Sequence, residues 1–414
     1  MTIDSIKNKK SLKMCSFWSS LPRPFFVLAP MANVTDSVFR KLFAKYGKPD
    51  VTWTEFVSAD GLVSAGQKKL LVDLEYTNKE RPIVAQLFTG HPEVMREAAV
   101  LVKTLGFDGL DINMGCPDRA VEKQGGGAAL IKDTVLALKV LEAARDGVDL
   151  NSGLNQKSKI PTSLLRSYEG QSKSSFSAKA TKDNQKLKAK GEKFQTIPVS
   201  VKTRIGYNKI DLNWIKFLLE QKLPALTVHL RTRKEMSEVP AHWEIMPEII
   251  KMRNEIAPAT LIIGNGDVES LEQAREYSEK YGCDGIMIGR GIFGKPWFFE
   301  GLKKLKTGKS GLRNILNTKL DFEKTPEERL KILVEHAKLF EKTFLPAPTL
   351  NNKSLNKNGL RQASKNIKNF DVMKKHFKAY VSGWDGAKEL RVKLFEAEYA
   401  KDVAAVVKEY IKER

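Results

Sequence analysis

Short apolar runs alternate with longer amphipathic stretches over much of this chain. The first run, 25–30, is followed by Val38, Leu42 and Phe43, which have the spacing of one helix face. Similar runs, rich in β-branched residues, follow at 51–56, 82–88, 109–115, 199–204, 225–230, 260–266 and 285–290. Near-continuous apolar strands that alternate with helices are typical of parallel strands buried on both faces. The pattern therefore predicts an α/β fold.

The number of these strands narrows the fold further. Eight in series predict a (β/α)₈ TIM barrel over residues 22–305. A doubly wound open sheet is the alternative. It fits less well, because no Gly-x-Gly-x-x-Gly sequence follows the first strand.

Three segments depart from the barrel pattern. We expect residues 1–21 to form an N-terminal extension and residues 306–324 to form a linker. Residues 151–196 are rich in Lys, Ser, Asn and Gln and have no sustained period, so we expect a disordered, basic low-complexity insertion. This insertion is either an arm that touches RNA or a tolerated surface insertion, and we favour the second interpretation.

The last part of the chain has a helical pattern. Thr325 followed by Pro326 and Glu328 is typical of a helix start, with a capping threonine, a proline in the first turn and a glutamate that closes a capping box. Apolar positions then recur at helical spacing. We expect a small helical domain with basic faces over residues 325–414.

Composition limits the class of protein. The chain has 414 residues, of which 42% are hydrophobic, and no run approaches the ~18 apolar residues that a membrane span needs. The first 20 residues lack the apolar core of a secretory signal. The cysteines, Cys15, Cys116 and Cys283, are too few for a disulfide framework or a Cys-based zinc site, and no histidines are paired at ligand spacing. We therefore expect a metal-free protein of the reducing cytoplasm.

The charge points to a partner. The formal net charge is +21 and the pI is near 9.6. An excess of this size is typical of proteins that bind nucleic acid, although a basic surface without such a partner remains the alternative.

Groups able to bind or react stand at the ends of the predicted strands. Since the carboxyl ends of barrel strands meet at one mouth, we expect these groups to converge there. They are Pro30, Met31, Ala32, Gln86, Asn113, Cys116, Lys202, Arg204, His229, Asn265, Gly266, Asp267, Gly289 and Arg290.

The residue types indicate a flat, anionic, heteroaromatic ligand. Gly266 and Gly289 would allow a phosphate to approach the backbone closely, at the site where these barrels often bind phosphate. Lys202 could stabilise negative charge on a reduced ring, and the amide of Gln86 can both donate to and accept from a ring edge. Pro30 and Met31 could form an apolar wall beneath the ring.

Cys116 is the candidate for proton transfer. It lies in the turn Asn113-Met114-Gly115-Cys116-Pro117, which would hold a thiol in place at a strand end and leave it reachable. The alternative is a buried structural cysteine, as is common for an isolated free thiol.

Several motifs together resemble the tRNA-dihydrouridine synthase family. The resemblance covers about residues 24–300, is weaker in the C-terminal helices, and is most specific in the Asn-x-Gly-Cys-Pro turn. The motifs lie at residues 28–31, 111–117, 125–130, 201–204, 265–267 and 289–291.

The resemblance implies an FMN-dependent reduction of the uracil 5,6 double bond in tRNA, driven by NADPH or NADH. Cys116 matches the family's proton donor, and Asn113 and Arg204 match residues that line the uracil pocket. The helical domain would then bind tRNA, and we expect a monomer. The positions that match the family's FMN site are Pro30, Met31, Ala32, Gln86, Lys202, His229, Asn265, Gly266, Asp267, Gly289 and Arg290.

One departure and two other interpretations remain. Leu230 stands where the family commonly has glycine, which leaves the loop contacts after the sixth strand open. The chain could instead be an FMN barrel that reduces a free pyrimidine or a small enone, which would not need so large a positive charge. It could also be a non-catalytic tRNA-binding protein that retains the barrel.

Overall fold

The structure, a computed structural model, describes residues 16–149, 196–304, 319–345 and 367–413. Residues 1–15 of the expected N-terminal extension, residues 151–195 of the expected insertion and residues 306–318 of the expected linker lie outside the described residues.

Parallel strands form a barrel, as the apolar runs predict. The strand order is β1-β8-β7-β6-β5-β4-β3-β2, and a bridge between Val27 and Val51 joins the first two strands and closes the ring. The (β/α)₈ prediction is confirmed, and each strand lies within its predicted run or within two residues of it. The strands are β1 Phe25–Leu28, β2 Thr52–Ser58, β3 Ile83–Phe88, β4 Gly109–Met114, β5 Val199–Arg204, β6 Ala225–His229, β7 Leu261–Asn265 and β8 Gly285–Ile288.

Aromatic side chains fill the amino-terminal end of the barrel. Trp18, in the short 3₁₀ turn Phe17–Ser20, packs against Phe25 and Trp53 with ring centroids 6.1 and 5.9 Å apart. Phe25 begins β1, so this cluster closes the end of the barrel opposite the strand carboxyl ends. Ligands therefore have access at the carboxyl end.

Amphipathic helices surround the barrel and bury their apolar faces against it. The first, α1, begins at Ser37 after Asp36, whose carboxylate accepts from the backbone N–H groups of Val38 and Phe39. The helices of this part are α1 Ser37–Tyr46, α2 Ala59–Leu62, α3 Gln67–Leu70, α4 Pro92–Thr104, α5 Arg119–Lys123, α6 Thr134–Val148, α7 Leu212–Glu220, α8 Met246–Ile256 and α9 Leu271–Tyr281.

The C-terminal helices begin with the predicted capping box. The Thr325 hydroxyl accepts from the Glu328 N–H at 3.2 Å, and the Glu328 carboxylate accepts from the Thr325 N–H at 2.8 Å. The helices are α10 Pro326–Phe344, α11 Met373–Tyr380, α12 Ala387–Phe395 and α13 Ala400–Lys412.

These helices pack directly on α1 of the barrel. The Phe39 ring stacks on His336 with centroids 5.1 Å apart, and His376 meets the same ring edge-on at 4.9 Å. Glu335 of α10 pairs with Lys45 at 2.7 Å. Because the contact is aromatic and buried, it fixes the position of the helical unit relative to the barrel.

The described residues that lead into α10 also dock on the barrel. The Asp321 carboxylate accepts from the N–H of Leu271 at 2.7 Å, at the start of α9. Glu272 in turn accepts from the N–H groups of Leu320 and Asp321. Among the described residues, no helix is both long and apolar enough to cross a membrane.

Candidate active site at the carboxyl ends of the strands

A cavity of about 660 Å³ opens at the carboxyl ends of the strands. It brings together nearly all the residues that the sequence singles out. Ala32 is the exception, because it lies exposed in the same loop as Met31 and does not line the cavity. The predicted residues that line it are Pro30, Met31, Gln86, Asn113, Cys116, Lys202, Arg204, His229, Asn265, Gly266, Asp267, Gly289 and Arg290.

The turn that carries Cys116 is held in place by hydrogen bonds to its backbone groups. The Asn113 side-chain oxygen accepts from the N–H groups of Gly115 and Cys116, at 3.1 and 2.9 Å. The Cys116 carbonyl accepts from the Ala128 N–H at 2.9 Å. Gly127 has φ +60°, and a Cβ there would lie 2.7 Å from the Cys116 carbonyl oxygen. Glycine at position 127 therefore allows the segment after the turn to pack against the Cys116 backbone.

The Cys116 thiol is protonated at neutral pH. It is partly buried, and this burial raises its pKa above the ordinary value of 9.0. A thiol that keeps its proton and faces the cavity is suited to act as an acid. The alternative of an inert, fully buried cysteine applies instead to Cys283, whose pKa burial raises to about 12.

A buried carboxylate beneath the cavity orients two of the lining amides. Asp111 accepts from the Gln86 side chain at 2.7 Å and from the Ser200 hydroxyl at 2.6 Å. An ionised carboxylate only accepts, so the NH₂ group of Gln86 must face Asp111 and its oxygen must face away. That oxygen accepts from the Asn113 side chain at 3.1 Å. Burial raises the pKa of Asp111 to about 6.

Two cations of β5 face the Cys116 turn. Burial, followed by the charge of the neighbouring Arg204, lowers the pKa of Lys202 to about 8, and the Asp111 charge opposes this shift. Arg204 donates to the carbonyls of Gly115, Thr232 and Met236, at 3.0, 2.8 and 2.8 Å. Its guanidinium is thus immobilised beside the cysteine.

The ends of β6, β7 and β8 form a positively charged concavity. Asp267 pairs with both Arg231 and Arg290, which holds the two guanidinium groups together. Gly266 has φ +139°, and a Cβ there would lie 2.7 Å from the Cβ of Ala241. Cations beside a glycine-lined backbone are typical of a phosphate site.

His229 lies at the edge of this concavity as a neutral ring. Burial and the surrounding cations, Arg204 and Lys202 first among them, lower its pKa well below 6.5. Its Nδ1 atom is buried and has no hydrogen-bond partner among the described residues. The residue lines the cavity, so a group bound there meets a neutral imidazole ring.

Sequence reasoning assigned no role to several residues of the site. Asp111 stands inside the most specific motif, but only the register of β3 and β4, which pairs it with Gln86, reveals its role. Arg233 pairs with Glu122 of α5 and so ties the loop after β6 to the segment that follows Cys116. In the sequence, only the position of Arg233 four residues after His229 indicates that it belongs to the site.

Leu230 does not need to be glycine. Its N–H donates to the Asn265 carbonyl at 2.9 Å, its carbonyl accepts from the His242 N–H at 2.7 Å, and its side chain is fully buried in the core. The pairing of β6 with β7 therefore continues past His229.

Comparison with known proteins identifies the family. The family model described as dihydrouridine synthase matches residues 27–166 and 184–414, which is most of the chain. The chain belongs to the dihydrouridine synthase family.

Curated relatives in this family are similar over almost their whole length. A probable tRNA-dihydrouridine synthase of Staphylococcus aureus (strain COL) is 35% identical over 398 residues, 95% of each chain. A probable tRNA-dihydrouridine synthase 2 of Bacillus subtilis (strain 168) is 37% identical over 348 residues, 82% of this chain and 92% of the relative. The match includes the C-terminal helices, so the helical unit is part of the family's architecture.

Among solved structures, morphinone reductase in complex with tetrahydroNAD aligns with a TM-score of 0.41 at 12% identity, over 74% of this chain and 96% of that one. A similarity at this level carries no argument about function. Among the described residues, no group of His, Cys, Asp or Glu could hold a metal ion.

Proposed function

We propose that this member of the dihydrouridine synthase family reduces the C5–C6 double bond of uridines in tRNA to 5,6-dihydrouridine, with FMN bound in the cavity and NADPH as the hydride source. The observation that carries the proposal is the protonated Cys116 thiol, held at the cavity beside Lys202 and Arg204. The two curated relatives, named as probable tRNA-dihydrouridine synthases, support the same substrate.

The cavity residues fit FMN. Pro30 and Met31 supply an apolar wall for a flat ring, and the cationic concavity of Arg231 and Arg290 suits the terminal phosphate. The neutral ring of His229, which lines the cavity, is a further contact for the cofactor. Asn265 also lines the cavity, but its side-chain amide donates to the Met287 carbonyl at 2.8 Å, so it braces the cofactor site and keeps its oxygen free.

Lys202 and Cys116 divide the remaining chemistry. The chemistry that FMN supplies when bound is hydride transfer, from the nicotinamide nucleotide to C6 of uracil. Lys202, cationic below about pH 8, stabilises negative charge on the reduced ring. Cys116 donates its proton to C5, which completes the addition of H⁻ and H⁺ across the double bond.

Asn113 and Arg204 would bind the uracil. Both are nearly buried at the cavity and lie next to Cys116. Their side chains are held by the protein's own carbonyl and amide groups, so they present fixed polar edges to an incoming base. A uridine must leave the base stack to reach this depth, as enzymes that act on bases generally require.

The rest of the chain would hold the tRNA body. The net charge of +21 supports phosphate contacts, and we propose that residues 325–414 form the tRNA-binding domain beside the barrel of residues 22–305. A tRNA substrate and a catalytic free thiol both favour a cytoplasmic protein, and we propose that it acts as a monomer.

Two measurements test the finer assignments. The protein should be yellow as purified, and heat should release a flavin that co-elutes with FMN in liquid chromatography. Oxidation of NADPH and of NADH should then be compared in the presence of unmodified tRNA. A protein that reduces free uracil or a small enone but leaves tRNA unchanged would contradict the proposal, as would a colourless protein that binds no flavin.

A further inference from the structure

Lys368 lies just before the C-terminal helix α11 but is buried against the barrel. Its Nζ atom is 2.7 Å from the Glu55 carboxylate and 2.9 Å from the Asp73 carboxylate. The side chains of Lys368 and Glu55 are only 10% and 6% exposed. Glu55 belongs to β2, so this ion pair joins two parts of the chain 313 positions apart.

The second oxygen of Glu55 reaches the loop between β1 and α1. It accepts from the backbone N–H of Asn33, directly after Pro30, Met31 and Ala32. Asn33 has φ +55°, the left-handed region that costs a residue with a side chain free energy. The hydrogen bond from Asn33 to Glu55 therefore stabilises a loop conformation that the backbone alone does not favour.

The other contacts of this loop lie on either side of Asn33. The Met31 N–H donates to the Thr35 hydroxyl at 2.9 Å, which closes the turn from within. Arg40 donates to the Thr35 carbonyl at 2.7 Å, which ties the end of the loop to α1. Glu55 is thus the anchor at the middle of the loop.

Lys368 favours the charged form of Glu55 and holds its carboxylate in place. Burial raises the pKa of Glu55, and the nearby carboxylates of Asp73 and Asp36 raise it further, whereas Lys368 lowers it. A charged acceptor makes a stronger hydrogen bond than a neutral one. Without the lysine, the carboxyl group would be buried among acidic groups with no other described cation in ion-pair contact, although Lys375 lies near enough to interact with it. Proteins avoid such a state by protonation or rearrangement.

We propose that Lys368 is a positioning residue for the flavin site. Through Glu55 it holds Asn33, and with it the loop of Pro30 and Met31, in the conformation that receives the cofactor. The C-terminal part of the chain thereby completes a binding site that otherwise belongs to the barrel. This inference rests on the proposed binding of FMN in the cavity.

The test compares Lys368→Met with a matched control, Lys374→Met. Lys374 is an exposed lysine of α11 whose ion pair, within the described part of the chain, is with Asp371 at 2.7 Å. The dissociation constant of FMN is measured by flavin fluorescence on full-length protein from which the cofactor has been removed. The unfolding temperature of each variant is recorded separately, and the affinity is measured well below it. We expect Lys368→Met to raise this constant about tenfold, in the range that coupled positions typically produce. Lys374→Met should leave it unchanged, and Lys368→Arg, which keeps the cation, should restore most of the affinity.

A role in stability alone predicts a different result. Lys368→Met would then lower the unfolding temperature but leave the FMN dissociation constant unchanged, which would overturn the proposal. If Lys368→Met does not fold, Glu55→Gln serves instead, since it removes the Glu55 charge, leaves Lys368 paired with Asp73 and weakens the bond to Asn33. Unchanged FMN affinity in Glu55→Gln would equally overturn it. Wild-type protein with no affinity for FMN would overturn the proposed function itself, and this inference with it.

Discussion

The side-chain amide of Gln86 donates to the Asp111 carboxylate across 2.7 Å in the interior of the barrel. The two residues are register partners on β3 and β4, and Ser200 of β5 continues the same row. Because the carboxylate fixes which way the amide points, the Gln86 oxygen is free to accept from Asn113, and Asn113 in turn holds the N–H of Cys116. A buried charge that does not line the cavity thus orients the turn that carries the thiol.

Replacement of Cys116 by alanine should separate binding from chemistry. Cys116→Ala should remain yellow and bind tRNA, but its turnover should fall by about 10²-fold or more, since general acids contribute at this level. The measurement is dihydrouridine formed per unit time, by nucleoside mass spectrometry. Cys283→Ala removes a buried thiol that does not line the cavity and is the control. Wild-type turnover in Cys116→Ala would contradict the role of the thiol.

The affinity for FMN should depend on pH through Lys202. Burial lowers the pKa of this lysine to about 8, so it loses its charge within the accessible range. Bound FMN favours the charged form, and the affinity of cofactor-stripped protein should therefore fall as pH rises through about 8. Titration of the dissociation constant between about pH 7 and about pH 9 measures this. The fall should be absent in Lys202→Met; a wild-type affinity that is constant over this range would be inconsistent with the assignment.

Substitution of Asp111 should move that pH dependence. The Asp111 charge raises the pKa of Lys202, so Asp111→Asn should shift the fall in FMN affinity to lower pH. The asparagine can still accept from Gln86, while the Ser200 hydroxyl turns to accept, so the fold should be retained. Ser200→Ala keeps the Asp111 carboxyl group but removes a hydrogen bond that lowers its pKa, so its midpoint should shift less than that of Asp111→Asn. An unchanged midpoint in Asp111→Asn would argue against electrostatic coupling between the two residues.

The sequence predicted those parts of the site that are local in the chain. The strands were readable because each is a continuous apolar run, and the groups at their ends follow from barrel geometry. The capping box of Thr325 could also be predicted, because its two partners are only three residues apart in the sequence.

The remaining features depend on contacts between distant parts of the chain. Asp111 looks like any polar residue in a strand until its register partner Gln86 is known. Lys368 pairs with Glu55 although 313 positions separate them in the sequence. No local pattern distinguishes this lysine from the others of a strongly basic chain. The position of Trp18 at the closed end of the barrel likewise follows only from the tertiary structure.

The contact between barrel and helices should make the fold sensitive to acid. Burial lowers the pKa of His376 to about 3 and that of His336 well below 6.5. The unfolded chain binds these protons near pH 6.5, so stability is complete above that pH and is lost as pH falls toward the folded values. At about pH 5, His376 alone should cost about 2 kcal/mol.

Urea unfolding at about pH 7 and about pH 5 measures this loss. His376→Phe keeps an aromatic ring against Phe39 and should reduce the difference in unfolding free energy between the two pH values. The quantity compared is this difference between the two pH values, and not the unfolding free energy of the variant at either pH. An unreduced difference would show that His376 titrates in the folded protein.

Binding of tRNA should weaken steeply with salt. Neutralised phosphates release counterions, so a chain of net charge +21 that holds tRNA through its backbone should lose at least about tenfold in affinity between ~50 and ~200 mM salt. Filter binding or fluorescence anisotropy with full-length tRNA measures this slope. An affinity independent of salt would count against recognition through phosphates.

The most direct test of the account is formation of the product. Purified protein is incubated with NADPH and unmodified tRNA, and dihydrouridine is quantified by nucleoside mass spectrometry, with Cys116→Ala run in parallel. The account predicts a dihydrouridine peak with the wild type, at defined uridine positions, and almost none with the variant. A flavin-loaded wild-type protein that oxidises NADPH but leaves every uridine unreduced would contradict it.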